Sequence, residues 1–152
     1  MKATLFDHIK NVFSCLMLAG VWIYLLVQWS SLPEKLPGHY NFAGEIDRWG
    51  SRGELLIVPA VMLVLFILLS VLERFPNVWN TGVEVTEQNR ERVYTLTLHL
   101  LTSAKLLMAA VFSYLTLCSA AARPLSRWFM PITIVALLEL LAFYIVRITR
   151  AK

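Results

Sequence analysis

Charge is scarce in this chain, and catalytic signatures are missing from it. Asp, Glu, Lys and Arg make up 16% of its 152 residues while hydrophobic residues reach 58%, and the mean hydropathy is +0.64. A soluble globule is nearer half apolar and about a quarter charged, so the composition points to a membrane protein. No Gly-rich phosphate loop, His-Glu-x-x-His, paired-cysteine motif or Gly-x-Ser-x-Gly elbow occurs, which leaves no familiar catalytic constellation and no implied cofactor. There are only two cysteines, Cys15 and Cys118. Both lie in apolar runs that the topology below places near opposite membrane faces, beyond disulfide reach, so both read as small apolar fillers. Internal repeats and low-complexity segments are absent too. No small-x-small cleavage pattern follows Trp29, so the first apolar segment reads as a retained anchor rather than a signal peptide.

What the chain does have is four apolar runs of nearly membrane-spanning length, at 12–29, 55–72, 93–122 and 128–146. About 20 apolar residues cross a hydrocarbon core about 30 Å thick. His99 and Lys105 interrupt the third run and cannot face lipid all round, so the spans should pack together. The expected fold is an all-α integral membrane protein. It is a single domain over 1–152, a four-helix bundle with an ordered extracytoplasmic loop at 30–53 and an inner loop at 74–92. The net charge of +4 resides in basic residues at the ends of the runs rather than on one face. The lipid bilayer, not nucleic acid, is the expected partner.

Lys2, Lys10, Arg74, Arg90, Arg92, Arg147, Arg150 and Lys152 flank one side of the spans; Lys35, Arg48, Arg52, Arg123 and Arg127 flank the other. Eight against five places both termini in the cytoplasm of a cell with an inner membrane. Trp29, Trp49, Trp79 and Trp128 fall at or just past span ends, where amphipathic rings anchor; Trp22 is the exception. Ser51-Arg52-Gly53-Glu54 has the form of a capping box for the second helix. Thr86 followed by Glu87 fits an N-cap that starts a third helix of over thirty residues.

The outer loop is the most distinctive stretch. Pro33 and Pro37 forbid a regular helix, Gly38, Gly44 and Gly50 permit tight turns, and Leu36, Tyr40, Phe42, Ile46 and Trp49 are too apolar for a loose linker. It should fold back on the mouth of the bundle. His39, Asn41, Glu45 and Asp47 are candidates for a polar or metal-binding cluster, although their spacing matches no strong metal signature. The commoner explanation is that Asn41 and Asp47 stabilise turns.

Inside the membrane, Lys105 lies twelve residues into the third span and Glu139 twelve residues after Arg127. Each is then about 18 Å from its own surface. A lone charge there costs on the order of 3 kcal/mol, so the two are expected to pair across the bundle. The third span also carries Thr95, His99, Thr102, Leu106, Ala109, Ser113 and Thr116 at alternating spacings of four and three, a seam for helix packing. His99 is a candidate proton carrier, though a bond to another helix is the commoner role.

Leu32, Pro33, Pro37, His39, Asn41, Gly44, Asp47, Trp49, Gly50 and Ser51 together resemble the signature of a bacterial membrane family known as domain of unknown function 1648. Asn80, Val83, Thr86, Asn89, Arg90 and Tyr94 are similar to that family's pattern before its third span. The resemblance extends to SdpI-like immunity proteins, in which this domain is followed by further membrane helices. Those proteins protect a producer cell from its own secreted toxin and relay the toxin's presence to a repressor.

The leading expectation is a non-enzymatic binding, immunity or signalling protein. Its outer loop, through His39, Asn41, Gly44, Asp47, Trp49 and Ser51, would take a peptide, ion or protein partner. The inner loop, with Asn80, Thr86, Asn89 and Arg90, would relay it. A small transporter or channel subunit, using the Lys105 and Glu139 pair with His99 and requiring oligomerisation, is the alternative. A metal-dependent membrane enzyme built on His39 and Asp47 comes third.

Overall fold

A computed structural model describes residues 3–151. Lys2 and Lys152, two of the charges counted for orientation, lie outside them. Four long helices, α1 (Leu5–Gln28), α2 (Ile57–Leu72), α3 (Arg90–Ala120) and α4 (Phe129–Thr149), make up most of the fold. All four, with the short 3-10 turns at Trp29–Ser31 and Arg52–Leu56 that extend α1 and α2, are long and apolar enough to cross a membrane.

The expectation of an all-α fold needs correcting at one place. Between α1 and α2 the chain forms an antiparallel hairpin, β1 (Lys35–Tyr40) and β2 (Ile46–Ser51). Pro37 and Gly38 hide it from a propensity reading, because both are poor strand formers and the ladder is irregular beside them. The register slips between Pro37 and His39 and again before Tyr40, as a bulge allows.

Helix α3 is central and touches α1, α2 and α4, whereas α1 and α2 scarcely meet. Three apolar clusters stack along it. Val21, Leu25, Leu32, Leu36, Leu55 and Ala120 join the hairpin to the helices at one end. Leu18, Met62 and Ala109 fill the middle, and Val93, Leu96, Ile148 and Ala151 close the other end. Thr102, Ala109 and Thr116, seven residues apart on the expected seam, are all buried. Their small side chains let α1 and α2 approach α3 closely. The outward faces carry exposed Ile, Leu, Val and Phe, a surface suited to lipid rather than water.

Two helix starts were legible in part. Ser51 and Glu54 form the expected capping box, although the turn that follows is 3-10 before it becomes α2. Thr86 is not the N-cap expected of it: α3 starts at Arg90 with Asn89 as its N-cap residue, and Thr86 closes the turn before the helix, Asn89 N donating to Thr86 Oγ1 at 3.3 Å and Thr86 N to Asn89 Oδ1 at 2.8 Å. Helix α1 starts at Leu5 rather than near residue 12, because Thr4 and Asp7 form another capping box in the pattern Thr-Leu-Phe-Asp.

Candidate functional site

The hairpin is tied down at both ends. At its base, Arg52 Nη1 donates to the Trp29 carbonyl at 3.0 Å, its guanidinium lies 5.1 Å from the Trp29 ring centroid, and Arg52 N donates to Glu34 O at 2.8 Å. One arginine thereby joins the end of α1 to the start of α2. Arg48 bridges inside the loop, donating to Glu54 Oε2 and to the Gly38 carbonyl, each at 2.8 Å.

Along β1 and at its tip the hairpin docks on the end of α3 and on the segment between α3 and α4. Buried Ser119 donates to the Pro37 carbonyl at 2.7 Å, Tyr40 Oη to the Arg123 carbonyl at 3.0 Å, and Leu125 N to the Gly44 carbonyl at 2.8 Å. Burial pushes the Tyr40 phenol up to about 12, so the hydroxyl keeps its proton and donates throughout the physiological range. Tyr40→Phe should cost about 1 kcal/mol of stability, the net worth of one such bond, read as a lowered thermal midpoint with the fold unchanged. An unaltered midpoint would show that the bond is dispensable.

Gly44 makes the close approach feasible. Its φ is +84°, and a Cβ there would lie 2.9 Å from the Leu125 carbonyl oxygen. Asn41 holds the turn through Oδ1, which accepts from Glu45 N at 3.0 Å, and through Nδ2, which donates to Glu45 Oε2 at 2.9 Å. Asn41 and Gly44 are thus turn and docking residues.

His39 and Asp47 meet across the strands, Nδ1 to Oδ1 at 2.7 Å, with side chains 64% and 42% exposed. Trp49 and Phe42 are also open to solvent, at 54% and 64%. Among the described residues no three His, Cys, Asp or Glu side chains gather as a metal site. Beneath the hairpin lies a mostly apolar cavity of about 280 Å³, lined by residues including His39, Tyr40, Leu55, Thr116, Leu125 and Met130. The Ser51 side chain belongs to the capping box.

The pairing expected of Lys105 and Glu139 does not occur. Lys105, 2% exposed, lies 2.6 Å from Glu73 Oε1 and donates to Ser70 Oγ at 3.0 Å, with its Nζ 5.0 Å from the Phe66 ring centroid. Glu73 caps the C-terminus of α2 and also accepts from Asn11 Nδ2 at 3.0 Å. Glu139 is exposed on α4. Helix rise gives the depth of a residue but not the direction it faces. The less exposed side of α4 runs through Thr133, Ala136, Leu140, Tyr144 and Ile148, of which Ile148 is buried, and Glu139 faces away from it.

A second polar cluster joins α1 to α3. Asp7, 1% exposed, lies 2.7 Å from His99 Nδ1 and 3.1 Å from Lys10 Nζ, and accepts from Thr102 Oγ1 at 3.0 Å. Lys10 donates to Ser103 Oγ at 3.1 Å. The sequence cue for Asp7 was its capping role, and Lys10 read only as a flanking charge. His99 bonding to another helix agrees with the commoner of its two expected roles.

The inner-loop residues hold local structure. Asn80 Oδ1 accepts from Gly82 N at 3.1 Å, buried Asn89 donates to the Glu84 carbonyl at 3.0 Å, and Trp79 Nε1 donates to the Leu72 carbonyl at 2.8 Å. Arg90 is exposed. This group and the hairpin sit at opposite ends of the bundle.

Fold and site together define a mostly helical protein with four membrane-length apolar helices and a hairpin clamped over one end. Residues 16–63, from mid-α1 through the hairpin into α2, match the model of the family described as domain of unknown function (DUF1648), in agreement with the resemblance of the hairpin motif. An uncharacterised protein of Archaeoglobus fulgidus is 51% identical over 47 residues, 31% of this chain and 26% of that protein. The match thus spans about a quarter of the relative's length. No solved structure matches.

Proposed function

We propose that this chain is a multi-pass protein of the cell membrane, with both termini cytoplasmic, and that its hairpin is a rigid, non-enzymatic recognition element for a peptide or protein at the outer face. The observation that carries the reading is the exposure of Phe42 and Trp49, beside the His39 and Asp47 pair, on a loop whose backbone is fixed at base and tip. Large aromatic side chains on a preorganised backbone bind at low conformational cost and are favoured at the centres of interfaces. The likeness to SdpI-like immunity proteins fits a peptide toxin as the ligand and the inner loop as the relay.

Mass spectrometry of material cross-linked in native membranes tests this, comparing wild type with Phe42→Ala/Trp49→Ala at matched abundance. A partner joined to wild type through the hairpin and lost from the variant is the expected result. The same partners in both samples, or none in either, would remove the hairpin as the recognition element.

A transport role has a separate observation in its favour, the two charged clusters Asp7–Lys10–His99 and Glu73–Lys105 between the helices, at the start of α1 and the end of α2. Intramembrane charges of this kind mark ion or proton routes in many carriers. Flux through proteoliposomes that is abolished by His99→Ala would favour transport over recognition.

A further inference from the structure

Arg92, Thr95 and His99 stand three and four residues apart on α3 and so share one stripe of that helix. With Arg147 of α4 they line a cavity of about 510 Å³ at the end of the bundle away from the hairpin. Ile148, next to Arg147, packs with Val93 and Leu96, which sets Arg147 level with that turn of α3, between Arg92 and His99. Both arginines are exposed, and none of the ion pairs among the described residues includes either of them. Glu91, the one acidic residue on the wall, thus lies within ion-pair distance of neither. His99 is held from behind: its Nδ1 lies 2.7 Å from the buried carboxylate of Asp7, so Nε2 is the ring nitrogen left for the cavity. The Arg147 guanidinium lies 5.4 Å from the ring centroid of Phe143, which is 53% exposed. One edge of the cavity therefore borders the apolar surface of α4.

We propose that this cavity binds the phosphate group of an anionic phospholipid of the inner leaflet. Two guanidinium groups without a carboxylate of their own chain suit a phosphate, whose oxygens accept from their planar N–H forks. Thr95 and His99 add a hydroxyl and a ring nitrogen already fixed in place. A free phosphate offers the same oxygens, and position decides for the lipid. Arg147 belongs to the last turn of α4, where a membrane-spanning helix passes from hydrocarbon to headgroups. The acyl chains of a lipid held there run on past Phe143 along the apolar face of α4, while its phosphate stays at the arginines. Basic pockets between membrane helices on the cytoplasmic side hold anionic headgroups in this way. The inference rests on the membrane-spanning reading with cytoplasmic termini, and is independent of what the hairpin binds.

The test uses the full chain in vesicles of phosphatidylcholine with increasing fractions of phosphatidylglycerol, the lipid retained on extraction being counted by native mass spectrometry. Wild type should keep phosphatidylglycerol in preference to phosphatidylcholine. Arg92→Gln/Arg147→Gln should weaken that retention by about tenfold or more. Arg90→Gln/Arg150→Gln removes the same charge from exposed residues at the same end but off the cavity wall, and should change it by less than about threefold. Arg92→Lys/Arg147→Lys keeps the charge and loses the forks; its retention should fall between the two, and it carries the test if the glutamine variant does not fold. Equal losses in both glutamine variants, or phosphatidylcholine kept as well as phosphatidylglycerol, would overturn the proposal. Displacement of the lipid by an equal concentration of inorganic phosphate would make the ligand a soluble phosphate and overturn the lipid. If the chain fails to float with the vesicles, the membrane-spanning reading falls and takes this inference with it, whereas insertion without a choice of headgroup sinks this inference alone.

Discussion

Lys105→Met is expected to lower stability by about 3 kcal/mol, because it leaves Glu73, only 12% exposed, without its cation. Removing one member of a buried ion pair costs about 3 to 5 kcal/mol. The lower end applies here, since Asn11 still donates to the carboxylate. Thermal unfolding in lipid bicelles would measure the loss. Lys105→Met/Glu73→Gln should recover much of it, since no uncompensated charge then stays between the helices. Lys105→Met/Glu139→Gln should recover none, because Lys105 and Glu139 do not meet. Recovery in the second cycle instead of the first would overturn the Lys105–Glu73 assignment.

The second large effect is expected at Gly44. An alanine there must hold the left-handed conformation and push its Cβ against the Leu125 backbone. The two costs together come to about 2 to 4 kcal/mol, enough to release the hairpin tip. Hydrogen exchange at the Leu125 amide, whose proton goes to the Gly44 carbonyl, would then speed up while the helix interiors stay protected. Gly20→Ala is the control, because a Cβ at Gly20 meets nothing within 4 Å and alanine favours a helix by up to about 1 kcal/mol. Unchanged exchange at Leu125 in Gly44→Ala would mean that the tip does not depend on this contact.

Much of the architecture was legible because a membrane-length helix announces itself through length and composition alone. All four long apolar helices, the Ser51–Glu54 box and the Thr86 turn came from local pattern. Orientation around a helix did not: Lys105 was placed by distance along α3, but its partner depends on which way α2 and α4 face. Reading the apolar side of α4 at Thr133, Ala136, Leu140, Tyr144 and Ile148 would have turned Glu139 outward from the start. The hairpin eluded prediction for another reason. Its strands are held by Ser119, Tyr40 and Arg52 through contacts distant in sequence, while Pro37 and Gly38 argue locally against a strand. Of the candidate loop residues, Asn41, Gly44 and Ser51 serve the fold, and His39, Asp47 and Trp49 stay open to solvent.

The two ends of the bundle differ in how they are fastened. At the hairpin end, bonds to backbone carbonyls tie α1, α2 and the α3–α4 segment together, and tyrosine, serine and arginine supply them without any group that titrates near neutrality. Farther from the hairpin the same helices are joined by carboxylates with lysine, histidine and asparagine, all held between them. The helices are thus joined through backbone carbonyls under the hairpin and through charged side chains at Asp7 and Glu73. Helix α1 is about 36 Å long and carries one kind of fastening at each end, Arg52 on the Trp29 carbonyl and Asp7 on His99.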